Sequence, residues 1–182
     1  MPTNWVVMPI CLPIIIRRCH ACASGRFRAS GKFRVNANHK LLDAWLLALC
    51  TVCEETIKIT VVERMSVRSF RPELLDRLHH NDRDLIAELL EDPVVLRRNR
   101  IALDWHSAWH LDTGGSEAPG DEAVDVSVRF AARIPVRPVR LVAEGLGLSR
   151  AEVERLVAEG NLVSAVRLSG KRSGDFTFTL KR

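Results

Sequence analysis

Hydrophobic and polar positions change their period three times along the chain. From Trp5 to Ile16 apolar residues run almost unbroken except at Pro9 and Pro13, which predicts an extended, proline-punctuated strand. Residues 26–36 alternate: Arg26, Arg28, Lys32 and Arg34 share one parity, Phe27 and Phe33 the other. That pattern predicts a hairpin with a cationic and an apolar face, turning at Ser30-Gly31. After a polar turn at 36–40, Leu41 to Leu49 is apolar on both parities, so periodicity alone allows helix or buried strand. Thr56 to Val62 is rich in β-branched residues and reads as strand.

Helical spacing then takes over. Pro72 suits a first turn, and Leu74, Leu75 and Leu78 supply an apolar stripe ending at His79-His80. Asn81 or Asp82 can cap a second helix carrying Leu85, Ile86, Leu89 and Leu90. Asp92 can cap a short third helix opened by Pro93 and closed by Arg97, Arg98 and Arg100. Gly114-Gly115-Ser116 and Pro119-Gly120 read as a linker. Beyond it the pattern predicts a strand over 124–134, a helix over 139–146, and a helix over 150–159 with Ser149 and Glu152 as a capping box and Gly160 as its stop. Strands over 161–168 and 175–180 flank a polar turn. The whole predicts an α+β protein in four parts: a β domain over 1–65, a helical middle over 66–112 packed on it, a linker over 113–123, and a helix-pair and β-hairpin module over 124–182.

Cysteine spacing changes the picture most. Cys19/Cys22 and Cys50/Cys53 are two Cys-x-x-Cys pairs, the pattern of a zinc ribbon in which two tight knuckles supply four sulfurs to a closed tetrahedral site. Such a metal has no open position, so structural Zn²⁺ is expected. Two disulfides or four buried free thiols are the alternatives; a thioredoxin-like redox pair fits worse, since it needs one pair at a helix N-terminus. A sheet-borne second pair places Leu41 to Leu49 in a strand. Neither pair is followed directly by glycine. Five cysteines leave Cys11 over, expected as a buried thiol, and the odd count argues for a reducing cytosol. No basic residue precedes the apolar N-terminal run and Arg17-Arg18 follows it, so it reads as strand rather than as a signal or membrane segment.

With Leu12-Pro13, Arg17-Arg18-Cys19-x-x-Cys22, the run from Ser30 to Asn38, Lys40, Asp43-x-Trp45-Leu46, Cys50-x-x-Cys53, Glu63-Arg64 and Asn81-Asp82 in hand, the chain resembles the uncharacterised bacterial proteins grouped as domain of unknown function 1062. The resemblance covers about 5–92 and is most specific through Arg64. It implies the four cysteines as metal ligands and supplies no catalytic residue.

Charge is segregated. Residues 1–42 hold seven Lys/Arg and no acid, 43–128 nine against seventeen, and 129–182 eleven against five. An acidic middle between basic ends points to a shared polyanion surface or to ends that pack on the middle. The candidate phosphate contacts are Arg17, Arg18, Arg26, Arg28, Lys32 and Arg34 in the first part, and Arg150, Arg155, Lys171 and Arg172 in the last. The order helix, Gly-Leu-Ser-Arg, helix, Gly, strand over 139–164 resembles the RNA-binding fold of ribosomal small-subunit protein four, and equally a helix-turn-helix with a β-wing. Nucleic-acid binding, RNA before DNA, is therefore expected, with a protein-interaction module around structural zinc as the rival. Tyrosine is absent and aromatics are few, which argues against extensive base stacking. His106 and His110, flanked by Asp104 and Asp112, invite a second metal or an acid/base pair, yet no glutamate stands between them as in zinc proteases. No phosphate loop or serine elbow appears, and neither an enzymatic activity nor a small-molecule substrate is expected.

Overall fold

A computed structural model describes residues 3–115 and 123–181. Among these the chain forms strands β1 (Thr3–Pro9), β2 (Ile14–Ile16), β3 (Arg26–Asn38), β4 (Leu41–Cys50), β5 (Thr56–Ser66), β6 (Ala102–Asp104), β7 (Trp109–Asp112), β8 (Val124–Phe130), β9 (Leu162–Ser164) and β10 (Phe176–Leu180). Helices are α1 (Pro72–His79), α2 (Arg83–Glu91), α3 (Pro93–Asn99), α4 (Pro138–Leu146) and α5 (Arg150–Ala158). The protein is α+β, with two five-stranded sheets among the described residues. It divides into two compact units, Leu12–Asp104 on the one hand and Met1–Cys11 with Trp105–Arg182 on the other. This differs from the boundaries read from the sequence. The apolar run Trp5 to Ile16 is two strands in two sheets, β1 and β2, because the chain bends between Pro9 and Pro13. The linker read at 113–123 lies mostly outside the described residues.

In the unit Leu12–Asp104 the sheet order is β5-β4-β3-β2-β6, antiparallel throughout. β4 alternates half-buried and buried residues along its whole length. Its buried parity, Leu42, Ala44, Leu46, Ala48 and Cys50, meets Leu78 of α1, Leu85, Ile86 and Leu90 of α2 and Val95 of α3. The small alanines admit the helices close to the sheet; the other parity, Leu41, Asp43, Trp45, Leu47 and Leu49, faces the opposite way. β3 does not turn at Ser30-Gly31 as expected. It runs on through a bulge between Ala29 and Phe33, with Gly31 at φ 77, and reverses only at His39-Lys40. Four residues of β3 span two of β4 there, so parity survives and Arg28 and Arg34 stay on one face opposite Leu49 and Trp45.

Short polar side chains satisfy the backbone wherever this sheet is irregular. Asn81 accepts from the Phe33 N–H beside the bulge (2.7 Å), and Asp43 accepts from the Arg64 N–H (2.7 Å), where Arg64 itself sits at φ 47. Asn99, at the end of α3, accepts from the Thr60 N–H (2.7 Å) and donates to the Thr60 carbonyl (2.9 Å), closing part of the β5 edge with one amide. Asp82 caps α2 through the Asp84 and Leu85 N–H groups and takes the Arg77 Nε–H at 2.6 Å, while Arg77 also forks onto Glu88. The Arg77 bond and those backbone N–H groups hold the Asp82 carboxyl below its ordinary 3.8.

In the other unit the sheet order is β7-β1-β8-β10-β9, with β1 parallel to β8 and the remaining pairs antiparallel. The hairpin of β9 and β10 is thus one edge of a larger sheet, and β9 is only three residues long. Trp5 stands edge-on to Phe178 with ring centroids 5.3 Å apart, and Gly145 of α4 lies so near the Trp5 ring that a Cβ would collide with it. α5 carries the expected capping box: Glu152 N–H donates to Ser149 Oγ (3.2 Å) and Ser149 N–H to Glu152 Oε2 (2.8 Å).

Two outcomes are expected. Gly145→Ala should cost about 1–3 kcal/mol in chemical denaturation by overpacking α4 on Trp5. Asp82→Ala should cost about 1 kcal/mol at neutral pH. Because the Asp82 pKa is depressed on folding, its contribution is complete above 3.8 and fades as pH falls through the lower folded value; the gap between wild type and variant should therefore narrow below about pH 4 in pH-dependent unfolding.

Candidate metal centre and cationic sheet face

The knuckles arise from two copies of one local solution. β2 leads into Cys19 and Cys22 and leaves as β3, and β4 leads into Cys50 and Cys53 and leaves as β5. In each, the N–H of the first cysteine donates to the carbonyl five residues on, Cys19 to Ser24 (2.6 Å) and Cys50 to Glu55 (2.9 Å). In each, the residue after the second cysteine takes the left-handed conformation, Ala23 and Glu54 both at φ 59. That is where glycine would be at ease, and neither knuckle has it. The first cysteine of each pair is buried and the second exposed.

All four sulfurs lie within 4.8 Å of one another and form the one candidate metal cluster among the described residues. Across the pairs, Cys19 and Cys53 approach to 3.7 Å and Cys22 and Cys50 to 3.6 Å. No disulfide joins any of them. The backbone N–H groups of Cys53 and Val52 hold the Cys50 thiol down to about 6. The Glu55 N–H acts the same way on Cys53, but hydrogen bonds shared with Cys22, Cys50 and Cys19, together with desolvation, outweigh it and push that thiol up to about 12. Neighbouring sulfurs that cannot all lose their protons are stabilised as thiolates by a cation at their centre. The four residues can hold a metal ion.

Around this centre the predicted cations separate. Arg18, Arg26, Arg28, Lys32 and Arg34 are exposed and Arg17 is half-buried. Arg26 pairs with Asp104 (3.0 Å) and Arg28 with Glu54 (3.3 Å). Arg150, Arg155, Lys171 and Arg172 belong to the other unit. There Arg155 reaches Glu159 at 3.8 Å, and Arg172 is half-buried, paired backbone to backbone with Val136 and donating to the Gly174 carbonyl. Cys11 is exposed, contrary to expectation, because it lies in the bend after β1 rather than within a strand. His106 and His110 form no metal cluster: His106 Nδ1 meets Arg140 Nη1 at 3.0 Å, and the Arg140 guanidinium lies over the Trp109 ring at 5.1 Å. His80 stays at its helix end on the Asp76 carbonyl (2.9 Å). Lys58 was not singled out by sequence, yet its Nζ sits 4.9 Å from the Trp45 ring centroid. The register Leu47 opposite Lys58 puts it on the cationic face, and the alternation Thr56, Lys58, Thr60 was the signal for it.

A family model described as protein of unknown function (DUF1062) matches residues 35–168, most of the chain and parts of both units. The chain belongs to this family. The DUF1062 match takes in Cys50, Cys53, Asn81 and Asp82, begins after the first cysteine pair, and reaches far beyond the residues on which the resemblance was read. No curated protein and no solved structure matches the chain. No helix among the described residues is long and apolar enough to cross a membrane.

The left-handed residues yield a prediction. Ala23→Gly should stabilise the protein by roughly 0.5–1 kcal/mol in denaturant unfolding, since it relieves a conformation that costs an L-residue about 1–2 kcal/mol and returns part of that as glycine entropy.

Proposed function

We propose that this DUF1062 protein is a zinc-stabilised module that binds nucleic acid, RNA before DNA, through the cationic face of its cysteine-bearing sheet. Four thiolates about 2.3 Å from Zn²⁺ form a tetrahedron with edges of about 3.8 Å, close to the sulfur separations here. The ion would fill no catalytic role, since all four positions are protein, and would hold β2–β3 and β4–β5 at one end. The observation that carries the binding reading is the placement of Arg28, Lys32 and Arg34, exposed along a strand whose Phe27 is fully buried, so that the strand cannot rotate its cations away. Arg150 and Lys171 are exposed in the other unit and offer a second set of phosphate contacts.

A second reading, a protein-interaction module, is favoured by the Arg26–Asp104 and Arg28–Glu54 pairs, which already match two of these cations with acids from the middle of the chain. Both arginine side chains remain about half exposed, 51% and 52%. Pairs so open contribute little, and phosphate can compete for them.

Purified protein should carry about one zinc per chain, and Cys19→Ser or Cys50→Ser should lose both metal and fold, because structural zinc supplies on the order of 10–16 kcal/mol of folding free energy. Metal analysis and circular dichroism test this. Affinity for RNA should fall steeply with salt, and replacing Arg28, Lys32 and Arg34 together with alanine should flatten the slope of log K against log salt by about three contacts' worth in fluorescence anisotropy. Equal slopes would move the contact elsewhere. Zinc-loaded protein that binds no nucleic acid at low salt would leave the protein-interaction reading.

A further inference from the structure

We infer that the nucleic acid taken by this face is single-stranded and that Trp45 is the platform on which one base stacks. The inference rests on the polyanion reading above. Three observations carry it.

The first is the shape of the face. Beside Trp45 the sheet is three strands wide, β3-β4-β5, about 10 Å across at ~4.8 Å spacing, because β2 and β6 join it only at Arg26 and Phe27 near the knuckles. An extended single strand can lie along this open platform with unpaired bases free to meet the sheet, whereas a duplex keeps its bases stacked inside. The second is the position of Trp45. It lies on the parity of β4 opposite to the one packed on α1–α3, it is half-buried, and the register sets it between Arg34 of β3 and Thr60 of β5. A single strand that puts its bases toward β4 meets this ring, with Leu47 and Leu49 of the same parity as the apolar floor beside it.

The third is charge on both flanks. Arg28 and Arg34 line the β3 side by register, with Lys32 exposed in the bulge between them. Lys58 lies on the β5 side with its ammonium at the ring itself. A base that takes the ring displaces that ammonium toward a phosphate, so the cation–π contact is exchanged for stacking plus an ion pair. One ring supplies one stacked base, which predicts little sequence preference and a small contribution beyond the phosphate contacts.

The test compares a short mixed-sequence RNA with the duplex formed on its complement, at one salt concentration, by fluorescence anisotropy on zinc-loaded full-length protein. The single strand should bind about tenfold tighter than the duplex. Trp45→Ala should weaken single-strand binding about tenfold and leave duplex binding unchanged, and Trp45→Phe should retain most of the affinity. Tryptophan emission should be quenched by the single strand in wild type and much less in Trp45→Phe, a readout that survives if the alanine variant fails to fold. Equal affinity for both forms, or undiminished quenching in Trp45→Phe, overturns the single-strand inference and leaves the polyanion reading standing. No binding of either form at low salt overturns both.

Discussion

Four sulfur atoms drawn within 4.8 Å of each other are the constraint on which the cysteine-bearing sheet depends. The two knuckles contribute equally: each places one cysteine in the core and one outside, and two close approaches run from a buried sulfur of one pair to an exposed sulfur of the other. The cluster is therefore half core and half surface. A cation bound there would tie together the buried and exposed halves as well as the two strand pairs. The left-handed residues Ala23 and Glu54 are tolerated because sulfur geometry over-determines both turns.

A second layer of control is carried by four short polar side chains. Asp43, Asn81, Asp82 and Asn99 each meet backbone groups that an irregular sheet or a helix start leaves without a ladder partner. Unmet, such groups would cost as much as a lost hydrogen bond each. Three of the four lie within the motifs that mark the resemblance to DUF1062. Much of that pattern thus has a folding role, and the stretch from Ser30 to Asn36 is distinctive because it encodes a two-residue bulge. Lys32, Arg34 and Trp45 have no comparable backbone duty, and the proposed binding rests on them.

Much of the architecture was legible in the chain. The helices of the acidic middle, the Asp92 cap and the Ser149 capping box appear as read, and of the two caps read for α2 it is Asp82 that serves, because caps and 3.6-residue periodicity are local signals. The cysteine cluster was legible from spacing alone. What the sequence hid was non-local or degenerate. Nothing in the apolar run of β1 and β2 indicates that its halves join different sheets, since that depends on partners a hundred residues away. Ser-Gly reads equally as a hairpin turn and as a bulge. In β4 both parities are apolar, so only the alternation of its neighbour β3 tells which side meets the helices. The positive φ at Ala23 and Glu54 left no mark because glycine, the usual sign, is absent.

The interleaving of the two units bears on how the chain assembles during synthesis. β1 is made first, yet its partners β7 and β8 follow only after the whole of Leu12–Asp104 has been made. That insert begins and ends on neighbouring strands, with Ile14 opposite Asp104, and the flanking strands are also neighbours, with Pro9 opposite Trp109. Once folded, the insert presents its two ends side by side, so a loop of nearly a hundred residues behaves like one of a few. The closure entropy saved is about 2 kcal/mol. Metal capture by the emerging insert would thereby favour, through chain connectivity alone, a second sheet that contains none of the four clustered cysteines.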